Sequence, residues 1–87
     1  MTKITATSSP GTAFHTAGGS PELVAVRPYG DTEVTGTLEH NSGPTSFQFG
    51  GPEETGGWVA KINIDAGETL RAFTDEGEEF HMDVHVF

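Results

Sequence analysis

Apolar and polar residues alternate in short runs along the whole chain, cut every eight to twelve positions by Gly, Pro, Asn or Asp, and no stretch carries a helical period. That rhythm predicts an all-β fold: a small antiparallel β-sandwich or barrel of six to seven strands. The pattern places strands at Leu23–Arg27, Glu33–His40, Thr45–Phe49, Trp58–Ile64, Thr69–Thr74 and Phe80–Phe87. Alternation turns Val34 and Leu38 to one side with Gly36, whose missing side chain points to a bulge or a close backbone approach. Phe47 and Phe49 share a side, as do Ala60, Ile62 and Ile64. Leu70 and Ala72 point one way and Arg71 and Phe73 the other, and Phe80, Met82, Val84 and Val86 face inward against His81, Asp83 and His85. The turns Asp65-Ala66-Gly67-Glu68 and Thr74–Glu79 make the last three runs a meander, and Asn41-Ser42-Gly43-Pro44 closes a hairpin between the second and third. Gly50–Gly57, with Glu53 and Glu54, has the composition of a surface connector.

The N-terminal part differs. Thr5–Pro21 is almost wholly Thr, Ser, Gly, Pro and Ala, with Phe14 and His15 as the bulky exceptions, and such a stretch buries too little to order itself. The expected organisation is an extended or flexible arm over residues 1–21, with Ile4 and Phe14 as anchors on a neighbouring subunit, and a single β domain over residues 22–87.

Size and charge narrow the function. The 87 residues allow one domain, and Leu, Ile, Val and Phe number 18, close to the level of about 20% below which strongly charged chains stop folding. With no cysteine there is no disulfide to compensate, so oligomerisation is the expected source of further burial. Thirteen carboxylates against four Lys or Arg give a net charge of −9, which repels nucleic acid and anionic lipid. Met1-Thr2-Lys3-Ile4-Thr5 lacks the apolar centre of a signal peptide, and no run approaches the roughly 18 residues that span a bilayer. The expected location is a cytoplasm, or particles assembled there.

Catalytic signatures are missing from the pattern: no nucleophile elbow, no phosphate loop, no paired cysteines. The strand face His81, Asp83, His85 has ligand types that suit Zn, Ni or non-haem Fe. Its first reading is nevertheless a solvated face, and a middle option is a subunit contact that protonates near pH 6. The acidic group Asp75, Glu76, Glu78, Glu79 lacks the ligand spacing of a calcium loop. Trp58 opens its strand as a core aromatic or a partner anchor, and Phe87 is expected to be exposed and to dock. No cofactor is expected.

In profile, with the arm Thr5–Pro21, the β domain Glu22–Phe87 and no targeting sequence, the chain resembles the accessory proteins that decorate the heads of tailed viruses. The resemblance implies a non-enzymatic virion protein that stabilises a capsid as a trimer or other small oligomer, the arm adding contacts by strand addition. Interaction residues on that reading are Ile4, Phe14, Tyr29, Trp58 and Phe87. Two alternatives stand beside it. One is a cupin-like metal-dependent β-barrel enzyme using His81, Asp83 and His85 with His40, for which the second family segment is not found. The other is a solitary sandwich module that binds carbohydrate or protein through Tyr29 and Trp58.

Overall fold

A computed structural model describes residues 2–30, 33–41, 43–49 and 60–87. They form eight strands and no helix: β1 (Thr2–Ile4), β2 (Thr12–Thr16), β3 (Glu22–Tyr29), β4 (Val34–Glu39), β5 (Thr45–Phe49), β6 (Ala60–Ile64), β7 (Thr69–Thr74) and β8 (Phe80–Val86). Two four-stranded antiparallel sheets result, ordered β1-β8-β3-β6 and β2-β7-β4-β5. The thinnest dimension is 18 Å, which fits two sheets stacked about 10 Å apart with their outer side chains. This is the β-sandwich of the sequence reading.

The core lies between the sheets. The first contributes Ile4, Val24, Val26, Ile62, Ile64, Phe80 and Met82; the second contributes Leu38, Phe47, Leu70 and Ala72, and all are buried. Each strand presents them at alternate positions, as the period of two requires. Among the described residues Thr74 is the buried polar side chain, and its hydroxyl donates to the Glu78 carbonyl at 3.2 Å, so it enters the interior satisfied.

Three expectations change. First, residues 1–21 are not a separate arm over their described part. β1 pairs with β8 through Thr2↔Met82 to Ile4↔Phe80, and β2 pairs with β7 from Thr12↔Ala72 to Thr16↔Thr69. Composition alone misled, because Ile4 needs only one inward position to join the core, where it is 0% exposed. Phe14 packs against the same core. The strand count accordingly rises to eight.

Second, β6, β7 and β8 are not a meander. β6 pairs with β3, β7 with β2 and β4, and β8 with β1 and β3. The Asp65–Glu68 turn therefore carries the chain from one sheet to the other. Its crossing is fixed by Gly67 N–H donating to the Gly18 carbonyl at 3.0 Å and Ala17 N–H to the Glu68 carbonyl at 2.9 Å. Only β4 and β5 form the hairpin that the sequence indicates, from Val34↔Phe49 to Leu38↔Thr45.

Third, burial fades along β8, from Phe80 and Met82 to Val86 at 41% exposed, so the strand leaves the core at its end. Gly36 confirms the close approach. It keeps regular pairing on both sides, and a Cβ there would stand 2.5 Å from the Phe73 carbonyl oxygen and overlap the Phe47 ring.

Candidate functional site

Because Val24, Val26, Phe80 and Met82 fill the inward positions of β3 and β8, the residues between them form the outer face of the first sheet. Register sets them in rows. Lys3, His81 and Tyr29 stand side by side, then Asp83 and Arg27, then His85, Ala25 and Lys61. Directly opposed antiparallel residues have Cβ atoms about 4.5–5.5 Å apart, so each row is a contact.

The Tyr29 and His81 rings stack, with centroids 5.4 Å apart and planes at 29°. Arg27 Nη2 donates to Asp83 Oδ2 at 2.5 Å, between side chains about one quarter exposed. Phe87 meets His85 edge-on at 4.5 Å and lies 5.1 Å beneath Lys61 Nζ, while its N–H donates to the Leu23 carbonyl at 2.9 Å. Phe87 is nevertheless 61% exposed. The face is thus a sheet surface of aromatic rings and cations whose side chains steady one another.

Charge is divided unevenly over the molecule. Three of the chain's four Lys and Arg, namely Lys3, Arg27 and Lys61, lie on this face with two of its four histidines. Among the described residues Asp83 is the carboxylate within it, and Glu79 sits at its margin, 2.9 Å from Lys3. Carboxylates gather elsewhere. Glu33, Asp75, Glu76 and Glu78 line one depression with Thr35, and Asp65 and Glu68 occupy the β6–β7 turn, where Asn41 donates to both. Glu22, reaching from β3 toward the second sheet, accepts from His15 Nε2 at 2.6 Å and from the Gly18 N–H, and these bonds hold its carboxyl below the usual 4.5.

His81, Asp83 and His85 do share the predicted face. Four residues of strand separate the two histidines by about 13 Å, each engages a different neighbour, and the ligand atoms of one ion sit about 2.0–2.2 Å from it. Among the described residues no group of three His, Cys, Asp or Glu is placed to hold a metal ion. His40, the fourth residue of the metal-enzyme alternative, follows β4 of the other sheet and bonds Thr45 Oγ1 through Nε2 at 2.8 Å. Of the expected interaction residues, Ile4 and Phe14 serve the chain's own core, Tyr29 is 7% exposed against His81, and Phe87 stands out from the sheet. Trp58, with Glu53 and Glu54, lies outside the described residues.

Sequence reasoning passed over Lys3, Arg27 and Lys61. They lie on three strands far apart in the chain, and only the order β1-β8-β3-β6 brings them together. No family model, no curated protein and no solved structure matches this chain. No helix among the described residues is long and apolar enough to cross a membrane.

Proposed function

We infer that this chain is a non-enzymatic structural and binding protein that acts as a small homo-oligomer, and that the outer face of the β1-β8-β3-β6 sheet is its docking surface. The observation that carries the reading is the charge division. A chain of net charge −9 collects Lys3, Arg27 and Lys61 with Tyr29, His81, His85 and Phe87 on one sheet face. Interface centres favour aromatic residues and Arg and disfavour carboxylates and Lys. Here Tyr29 and Arg27 stand on the inner strand β3, while Lys3 and Lys61 stand on the edge strands β1 and β6, where an interface rim is polar. The occupant is a second copy, because each molecule also carries the complement: the depression of Glu33, Asp75, Glu76 and Glu78. Attachment of that oligomer to a capsid is the particular form supported by the sequence profile, in which many copies on a shell reach an affinity that one small interface does not.

The contact between copies is tested by native mass measurement between about 0.01 M and 1 M salt, across which the Debye length falls from ~30 Å to ~3 Å. Oligomers are expected at low salt and dissociation at high salt. Lys61→Glu and Glu76→Lys should each weaken association, and the two mixed together should restore it. A chain that stays monomeric at low salt overturns the reading. Sedimentation with a large particle tests the attachment, and free chain in every fraction overturns that part.

A further inference from the structure

A second surface, on the other sheet, has the build of a small-molecule site. A groove of about 430 Å³ is lined by Ser9, Thr37, Glu39, His40, Pro44 and Phe73. Its floor is the cross-strand pair Thr37 and Phe73, on the outer face of β4 and β7. One wall is the segment between β1 and β2, held down at two points. Ala6 accepts from the Thr74 N–H at 3.0 Å, and Gly11 lies so close to β7 that a Cβ there would stand 2.5 Å from the Ala72 carbonyl oxygen. The other wall is the β4–β5 turn, with His40 and Pro44, closed by Gly43 N–H donating to the His40 carbonyl at 3.0 Å. Pockets of about 300–1,000 Å³ with an apolar lining and a few converging polar groups are the usual form of small-ligand sites.

The lining chemistry narrows the ligand. Phe73 and Pro44 offer apolar surface, while Ser9, Thr37 and Glu39 offer hydroxyls and a carboxylate. Glu39 is already compensated: it accepts from Ser9 Oγ and, at 2.5 Å, from the Gly11 N–H, and its cross-strand neighbour is Arg71, whose Nη1 is fixed on the Gly11 carbonyl at 3.0 Å. A carboxylate satisfied in this way has little charge left to draw a cation, yet its remaining lone pairs accept hydrogen bonds from neutral hydroxyls. His40 lines the groove as ring surface, since its Nε2 is engaged by Thr45 Oγ1 at 2.8 Å and its Nδ1 is shielded from solvent. An anion is disfavoured by the net charge of −9.

We propose that this groove binds a neutral saccharide, one ring lying against Phe73 with its hydroxyl edge toward Glu39 and Thr37. A pyranose presents C–H groups on its faces and hydroxyls around its rim, which matches an apolar floor beside polar walls. The groove lies on the sheet opposite the basic docking face but two residues along β4 and β7 from the acidic depression that face meets. Sugar binding is therefore measured at about 1 M salt, where the copies are apart, and either can then fail alone.

The test is amide-resolved NMR titration of the full chain with a panel of neutral hexoses and their disaccharides, beside choline as a cationic probe. Saturable shifts centred on Thr37, His40 and Phe73 with a neutral sugar are expected. Phe73→Leu, which keeps an apolar side chain but removes the aromatic surface, should weaken binding at least five-fold; Thr37→Val, which keeps the β-branched shape without the hydroxyl, should weaken it several-fold. Unchanged spectra elsewhere show that both variants fold. Shifts with choline alone, no saturable shift with any sugar at tens of millimolar, or full affinity in both variants would overturn the proposal.

Discussion

Replacing Ile4 by Ala decides whether the first residues belong to the sandwich or reach out to a neighbour. Ile4 has no exposed surface, and its strand pairs with β8 opposite Phe80. Truncating a buried Ile to Ala costs about 2–5 kcal/mol, the spread reflecting how far the site collapses. β1 is a three-residue edge strand joined to β8 alone, so it can settle inward, and the expected loss is about 2–3 kcal/mol. A domain of 87 residues has a total stability of about 4–13 kcal/mol, so this one side chain holds a sizeable part of it. For a chain of this size the melting midpoint should fall by about 10–20 °C. The assay is urea and thermal unfolding followed by circular dichroism, repeated over a range of protein concentration. A core residue lowers the midpoint equally at every concentration; an arm that anchors on a neighbour lowers only the part that depends on concentration. A shift below about 0.5 kcal/mol in the dilute monomer, within the range of ordinary surface substitutions, would refute the core placement.

Two other perturbations have equally definite outcomes. Gly36→Ala must force its Cβ against the Phe73 carbonyl oxygen, a backbone atom that cannot swing away, so overpacking should destabilise the fold by about 1–3 kcal/mol. Gly19→Ala meets nothing within 4 Å and should be neutral or stabilising by up to about 1 kcal/mol in the same urea melts; equal effects at the two glycines would contradict the packing. The Glu39 carboxyl is held below its ordinary 4.5, chiefly by the Ser9 hydroxyl and then by the Gly11 N–H. Its contribution is therefore complete above pH 4.5 and lost as pH falls below it, because the unfolded chain takes up the proton first. The stability gap between wild type and Glu39→Gln should stay level from pH 7 to about 5 and narrow below 4.5, and a gap that widens on acidification would exclude this assignment.

The strands themselves were legible because their signal is local. Alternation locates β3 to β8 to within a few residues and sends Leu38, Phe47, Leu70 and Met82 inward. Pairing was not legible, since alternation identifies a strand's faces and says nothing of its neighbour. At the described links β1–β2, β2–β3, β6–β7 and β7–β8 the chain changes sheet, so a turn such as Asp65–Glu68 looks like a hairpin in sequence and acts as a crossing. The first two strands were missed for a different reason. Thr2–Ile4 and Thr12–Thr16 are short and rich in Thr, and β2 is bulged between Ala13 and His15, so neither shows enough alternation to stand out. Of the candidate site, the row His81, Asp83, His85 was readable within one strand, whereas its companions Lys3, Arg27 and Lys61 depend on sheet order.

β8 ties the fold to its surface chemistry. It lies between β1 and β3, and its inward Phe80 and Met82 sit in the core while its outward His81, Asp83 and His85 set the register of the proposed docking face. A slip of one residue would turn that outer set into the core and expose Phe80 and Met82, so burying those two side chains excludes the alternative registers. The outer row then needs no pairing energy of its own to stay aligned. The Arg27–Asp83 pair, about one quarter exposed, adds modest stability, since partly solvated ion pairs repay little beyond their desolvation. Its consequence is positional: it ties the guanidinium to the row between the Tyr29–His81 stack and the His85–Phe87 contact. On the proposed docking, substitution of Asp83 by Asn should accordingly cost little in unfolding free energy and more in association between copies, and equal losses in the two would count against that proposal.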